Sequence, residues 1–284
     1  MGCELKSAKM LVSIAHVRRT FSPVAICGCL ALETVTASGT MNLVWSDEFN
    51  GSVIDATKWV FDTGNGGANP GWGNQELEYY TSRSDNAYVT NGVLHIKAQQ
   101  EVTNDMSGSY YYTSARMKTQ GRFSTKYGRI EWRAKLPAGI GLWPALWMLG
   151  TNLPSIGWPG CGEIDVMENN GARVFSVQGS IHSGSFAAQK YNLSAGDSVT
   201  NFHVYGVNWT SNSISWFVDG VTYGTQTNWS SSTGKPYPFP FDQPFFLLMN
   251  LAVGGTYVGN PGTNSIKLSL PAEMLVDYVR VYGE

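Results

Sequence analysis

Gly162-Glu163-Ile164-Asp165-Val166-Met167-Glu168-Asn169-Asn170-Gly171 sets three carboxylates in an otherwise apolar run flanked by turn-forming residues. In an extended strand successive side chains alternate between faces, so Glu163 and Asp165 share one face while Ile164 and Val166 share the other. Strict alternation would send Glu168 to the apolar side. A β-bulge of one extra residue, at Val166 or Met167, resets the phase and returns Glu168 to the face of Glu163 and Asp165. The stretch therefore reads as a bulged strand with core on one face and three acids on the other.

Acids placed in this way suit glycoside hydrolysis. That chemistry needs two close carboxyl groups in different states, one ionised as nucleophile or base and the other protonated as acid. Glu163 and Glu168 are the candidates. Asp165 is placed to share a proton or hydrogen bond with one of them and drive the two titrations apart, because like charges at short range cannot all ionise together. Retaining enzymes hold the pair roughly 5–5.5 Å apart, whereas inverting ones leave room for a water; two acids on one bulged strand favour the nearer arrangement. A calcium site or a solvated acidic edge would also collect carboxylates. The apolar residues between the acids, and the lack of an Asp-x-Asp-x-Asp-Gly loop, weigh for catalysis.

On either side of this strand the chain repeats one theme, short alternating stretches separated by Gly, Asn, Ser and Pro. Residues 92–98, 127–134, 213–220 and 275–282 are examples, and hardly any run carries helical periodicity. Many evenly spaced strands predict a β-sandwich or barrel. No linker or internal repeat interrupts them, so residues 41–284 are expected to form one domain. Tryptophans gather near the acids in sequence: Trp143 and Trp147, which would share a strand face, then Trp158, with Trp72 earlier. Sugar rings present apolar C–H faces and polar rims, which flat aromatic side chains beside Asn, Gln, Arg and His suit; core packing is the commoner fate of an aromatic.

Charged residues are only 14% of the 284, against the roughly 25% usual in globular domains, while aromatics reach 13%. Such a surface suits a neutral partner. The formal net charge of −2, without a Lys/Arg cluster, argues against nucleic acid, and no run approaches the roughly 20 apolar residues of a membrane span. Residues 1–40 read as an export segment, removed or disordered in the mature protein. Arg18-Arg19-Thr20-Phe21 precedes a short apolar run from Val24 to Leu32, and Val35-Thr36-Ala37 offers a small-residue cleavage site. The paired arginines suggest twin-arginine export and Ile26-Cys27-Gly28-Cys29 a lipoprotein box, so a secreted or periplasmic location is expected. Cys3, Cys27 and Cys29 fall in that segment, leaving Cys161 without a disulfide partner. Two residues before Glu163, it invites a nucleophile reading, but a buried small hydrophobe is the commoner role.

With these residues in place, the chain closely resembles glycoside hydrolase family 16. The resemblance rests on Glu-Ile-Asp-Val-Met-Glu at 163–168, Trp72-Gly73-Asn74-Gln75-Glu76-Leu77-Glu78-Tyr79-Tyr80-Thr81, Thr113-Ser114-Ala115-Arg116, Trp143-Pro144-Ala145-Leu146-Trp147-Met148 and Asn250-Leu251-Ala252-Val253-Gly254-Gly255. Within the family the chain looks like a bacterial endo-1,3-β-glucanase. The resemblance implies a β-jelly roll of two curved antiparallel sheets with a concave cleft, and endo-acting hydrolysis of β-1,3-glucan with retention. It makes Glu163 the nucleophile, Glu168 the general acid/base and Asp165 their electrostatic assistant. Asn74, Arg116, Trp143, Trp147 and Trp158 would bind sugar, His182 would stand beside Glu168, and Gln243 and Asn250 would add cleft or supporting hydrogen bonds. No catalytic cofactor is implied. A structural calcium would map to the backbone oxygens of Glu48 and Gly92 and the side chain of Asp277, and the enzyme is expected to act as a monomer. Tyr257 replaces a tryptophan found in many relatives. Other β-glycans (mixed-linkage glucan, agarose, carrageenan) and a non-catalytic glucan-binding module are the alternatives; carrageenan would favour a more basic cleft.

Overall fold

Each alternating stretch becomes a strand in the computed structural model, which describes residues 41–267 and 269–283. The segment read for export, with Cys3, Cys27 and Cys29, lies outside the described residues. In chain order the strands are β1 (Asn42–Asp47), β2 (Val60–Asp62), β3 (Glu78–Tyr80), β4 (Ala87–Thr90), β5 (Val93–Asp105), β6 (Gly108–Ser114), β7 (Arg116–Lys118), β8 (Gly128–Lys135) and β9 (Leu142–Gly150). They continue as β10 (Glu163–Glu168), β11 (Ser176–His182), β12 (Phe186–Asn192), β13 (His203–Trp209), β14 (Ile214–Val218), β15 (Val221–Gln226), β16 (Phe245–Val253) and β17 (Ala272–Gly283). One sheet runs β15-β14-β13-β8-β17-β5-β6-β3, with β1 and β4 on its edges, and the other runs β12-β11-β10-β9-β16-β7-β2. This is the jelly-roll sandwich expected from the sequence. Helix is confined to short turns such as α1 (Leu153–Ile156) and α2 (Thr263–Lys267).

The acid strand β10 sits near the middle of the seven-stranded sheet. Against β9 the register passes from Asp165 opposite Trp147 to Met167 opposite Leu146, so Val166 is the extra residue of a bulge. Ile164, Val166 and Met167 all lie in the core. The bulge thus turns two successive apolar side chains inward and frees Glu168 to face outward with Glu163 and Asp165. Next to β9, β16 is buried along its whole length, but its faces differ: Phe245, Leu247, Met249, Leu251 and Val253 join the main core, whereas Phe246 and Leu248 pack with Leu149 and Cys161 in a smaller cluster on the opposite face. Cys161 is therefore a small buried hydrophobe, and burial pushes its thiol up to about 11.

The two sheets meet over large aromatic side chains, among them Trp132, Trp209 and Trp216, all essentially inaccessible. Trp216, on β14, spans the core: its indole N–H donates to the carbonyl of Asp165 at 2.8 Å. A bulge interrupts the ladder at that point, and the opposite sheet supplies the donor. Room for the indole comes from Gly179 on β11, where any Cβ would overlap the ring.

Trp216→Phe keeps an aromatic ring in this space and leaves the Asp165 carbonyl without its donor. The expected cost is about 1–3 kcal/mol of unfolding free energy, measured by denaturant titration, with a fall in turnover because the bulge that aims Glu168 is loosened.

Candidate active site

Antiparallel pairing puts directly opposite residues on the same face of a sheet, so the registers around β10 lay out the concave surface in rows. Glu163 is opposite His182, and His182 is opposite Phe186. Asp165 lies between Ser180 on β11 and Trp147 on β9. Glu168 has Gln178 and then Lys190 on one side, and Ala145, Asn250, Arg116 and Asp62 in succession on the other.

The acids are tightly held. Ser180 donates to Asp165 Oδ2 at 2.5 Å and lies 3.4 Å from Glu168 Oε2. His182 Nε2 is 3.2 Å from the same Asp165 oxygen and 3.7 Å from Glu163 Oε1. Trp143 donates its indole N–H to Glu168 Oε1 at 3.1 Å, with Tyr257 stacked on that indole at 4.9 Å. Trp158, 59% exposed beside the cleft, leans toward the His182 ring at 5.8 Å. The side chains of Glu163, Asp165 and Glu168 are largely withdrawn from water. Burial, then the charge of Asp165, pushes the Glu168 carboxyl well above the usual range, against hydrogen bonds from Trp143, Ser180 and Gln178. Burial and the charges of Asp165 and Glu168 also raise Glu163, and Arg116 and Trp158 pull it back. The chemical consequence is that the acids cannot all be ionised at once. The group with the cation on its side, Glu163, is suited to carry charge, and Glu168 to carry the proton.

Beyond Trp147 a second cluster forms one wall. The Arg116 guanidinium lies between the rings of Trp72 and Trp147, at 4.4 and 4.6 Å, and pairs with Asp62 at 3.0 Å. Trp147 donates to Asn250 Oδ1 at 2.8 Å, and Asn250 donates to the Tyr80 hydroxyl at 2.9 Å. Asn74, exposed on a tight turn, donates to Glu76 at 2.9 Å. Trp72 and Gln75 in that turn hold positive φ of 53° and 61°, a conformation that costs about 1–3 kcal/mol per residue. Its hydrogen bonds offset that cost: Gly71 N–H to Asn65 Oδ1 at 2.8 Å and Thr256 N–H to the Asn74 carbonyl at 2.8 Å.

One expectation from the sequence changes and another is narrowed. His182 stands beside Glu163 and Asp165 rather than Glu168, because β11 runs antiparallel to β10 and its last residue meets the first of β10; Gln178 takes the place by Glu168. Gln243 takes the supporting one of its two expected roles, donating to the Cys161 carbonyl at 2.9 Å and bracing the turn that delivers Glu163. Ser180, Gln178 and Phe186 were missed. Ser and Gln look like loop residues in a sequence, and they become visible only by counting back along β11 once His182 is paired with Glu163. Phe186 is 61% exposed and lies 4.9 Å from the His182 ring, in the Glu163 row.

Glu163, Asp165 and His182 also offer ligand atoms within 4.8 Å of one another, dimensions a cation could use. On the other sheet the suggested calcium residues converge by register. β5 pairs with β17 up to Val276 and β1 from Val279 onward, along the same edge, so Asp277 lies in the gap between Gly92 and Glu48. The positions fit a site, while the Asp277 carboxylate is already engaged by Arg133 at 2.6 Å.

A concave β-sheet bearing a paired acid couple, a tuning aspartate and an aromatic wall defines a glycoside hydrolase of the jelly-roll class. The profile of "Glycosyl hydrolases family 16" matches residues 74–273, and the chain belongs to that family. It is 39% identical to a beta-glucanase of Rhodothermus marinus over 99% of this chain and 98% of that protein. It is 43% identical to glucan endo-1,3-beta-glucosidase A1 of Niallia circulans, covering 88% of this chain but only 39% of that longer protein. Among solved structures, the laminarinase catalytic domain of Thermotoga maritima superposes with a TM-score of 0.78 at 44% identity, covering 86% of this chain and 98% of that one.

A raised carboxyl pKa fixes the sign of the pH dependence. Glu168 must be protonated to act as acid, so kcat should fall on the alkaline side as pH rises through its raised pKa, and Glu168→Gln should abolish that limb on an aryl glycoside whose leaving group needs no proton. Raised groups stabilise the fold below their unfolded pKa, and that stability is lost as pH rises through the folded value. Glu163→Gln should therefore melt higher than the parent at neutral pH, by a margin that shrinks as the medium is acidified; calorimetry across pH checks it.

Proposed function

We propose that this protein is an endo-acting, retaining hydrolase of β-1,3-glucosidic bonds in β-glucans such as laminarin. The observation that carries the reading is the bulge at Val166, which puts Glu163 and Glu168 on one face with Asp165 between them, in a family whose relatives here are named as glucanases and laminarinases. Glu163 attacks the anomeric carbon while Glu168 gives its proton to the departing glycosidic oxygen. Glu168, now a base, takes a proton from water, whose oxygen displaces Glu163 and restores the original configuration. Arg116 and Trp158 keep negative charge on Glu163 before attack. Asp165, hydrogen-bonded by Ser180 and 3.2 Å from His182, lies beside Glu168 and favours its protonated form.

Asn74, Arg116, Trp143, Trp147 and Asn250 make the wall that grips sugar on one side of the scissile bond, and Trp158 and His182 border the other. The rows cross the sheet from β12 to β2, a span suited to a glycan that is cleaved within its chain. We propose secretion or periplasmic export, monomeric action and a structural calcium at Glu48, Gly92 and Asp277 on the strength of the family resemblance. No helix among the described residues is long and apolar enough to cross a membrane.

Incubation with laminarin, lichenan, agarose and κ-carrageenan in parallel should release short oligosaccharides from laminarin; cleavage of agarose or carrageenan alone would overturn the substrate. Glu163→Ala should lose several orders of magnitude in turnover while staying folded, and added azide should restore product of inverted anomeric configuration. For the calcium, millimolar Ca2+ should raise the melting temperature and a chelator lower it. Asp277→Ala should erase that response.

A further inference from the structure

Glu78 is a buried acid that the reaction does not use. It is fully inaccessible; its Oε2 accepts the backbone N–H of Val253 at 2.6 Å, and its Oε1 has no donor. Beside it stands Glu76, 7% exposed, whose Oε1 accepts from Asn74 and whose Oε2 accepts from the Tyr80 hydroxyl at 3.2 Å.

The polarity of this network can be worked out from one end. An indole N–H only donates, so Trp147 obliges Asn250 to present its oxygen and therefore to aim its amide hydrogens at the Tyr80 hydroxyl. Having accepted from Asn250, Tyr80 sends its own proton to Glu76. Asn74 adds a second donor. Glu76 thereby accepts at both oxygens, whereas Glu78 Oε1 has no partner, so a proton shared between the two acids is best held by Glu78. A second ionised carboxylate beside Glu76, fully buried and without a cation, would be strongly unfavourable. The nearest cation on that side, Arg116, is committed to Asp62.

We propose that Glu78 is a positioning residue. As a neutral carboxylic acid it donates a hydrogen bond to Glu76, holding Glu76 as the shared acceptor that orients Asn74 directly, and Trp147 through Tyr80 and Asn250. Burial, reinforced by the charge of Glu76, pushes the Glu78 carboxyl well above the usual range, in keeping with this role. The bond to Val253 ties the same acid to the strand end that leads into Gly254-Gly255, where Gly255 lies against Trp143. The acid pair therefore links both sides of the sugar-binding wall. That the wall binds β-1,3-glucan rests on the function proposed above.

The test uses the full chain inactivated by Glu163→Gln, with laminaripentaose as probe and calorimetric Kd as readout. Glu78→Gln keeps an N–H toward Glu76 and an oxygen toward Val253, and should bind as tightly as the parent. Glu78→Met removes the donor and should bind about tenfold more weakly, the effect of one lost hydrogen bond, with little further loss on adding Asn74→Ala. The groups facing the pair are Tyr80 on its own strand and, beyond it, Arg116 on β7. With Glu78 present, Kd should rise on the alkaline side as the acid ionises; with Glu78→Gln that rise should vanish. Equal losses for the Gln and Met variants, or the same pH profile with and without Glu78, would overturn the proposal. A readout independent of sugar is the infrared carbonyl band of a protonated carboxylic acid, isolated as the difference between the parent and Glu78→Gln at neutral pH. Its absence would overturn the proposal whatever binds. Its presence alongside failure to bind laminaripentaose would uphold the proton on Glu78 and reject the glucan.

Discussion

The site depends on one irregularity in one strand, and on the hydrogen bond that stabilises it from the other side of the core. Without Val166 as an extra residue, Glu168 would point into the apolar layer and the acid couple would not exist. A bulge leaves backbone groups outside the ladder, and an unsatisfied buried carbonyl is costly. Trp216 answers for Asp165, crossing from the ten-stranded sheet into space that Gly179 leaves open. The catalytic geometry is thus a property of both sheets, although all three acids lie on one.

Electrostatically the cleft gathers carboxylates and supplies little cation. Arg116 acts near Glu163 but is shared with Asp62, and His182 sits over Asp165 and Glu163. The fold accommodates the rest of the charge by protonation, which burial favours. Two acid pairs, one on β10 and one where the chain enters β3 of the other sheet, follow this logic to different ends. In the Glu163/Glu168 pair the proton is poised to leave. In the Glu76/Glu78 pair it stays, and its role is to give direction to a chain of hydrogen bonds.

Much of this was legible in the sequence, for reasons that can be stated. Three acids in an apolar run admit only one arrangement that keeps Ile164, Val166 and Met167 dry, so the bulge and the active face follow from hydrophobic burial alone. Cys161 likewise proved to be packing, as an isolated cysteine in an apolar stretch usually is. Partners across strands were not legible. Which residue of β11 meets Glu163 depends on the turn between the strands, and a sequence does not display that count; hence His182 was placed at the wrong glutamate and Ser180 was overlooked. The choice between the two roles open to Gln243 was hidden for a related reason, since a glutamine that braces a carbonyl and one that binds sugar look alike until the backbone is placed. Glu76 and Glu78 were visible within a motif, yet their relation needed three dimensions: the acids are two positions apart, and the donor that sets their polarity, Trp147, lies far along the chain.

A cleft laid across the whole sheet also bears on how molecules of this protein behave in company. A groove that lets a polymer pass through cannot be closed at its ends, so the sheet beneath it must terminate in edge strands, and exposed edges invite strands from other chains. Here β2 is only three residues long, too short to template much pairing. At the far end β12 carries an exposed Lys190, and β15 of the other sheet packs against it, with Gly224 lying on the Gln189 side chain. The architecture that admits a glycan chain therefore also denies its edges to another polypeptide, and solubility at high concentration should be most sensitive to changes along β12.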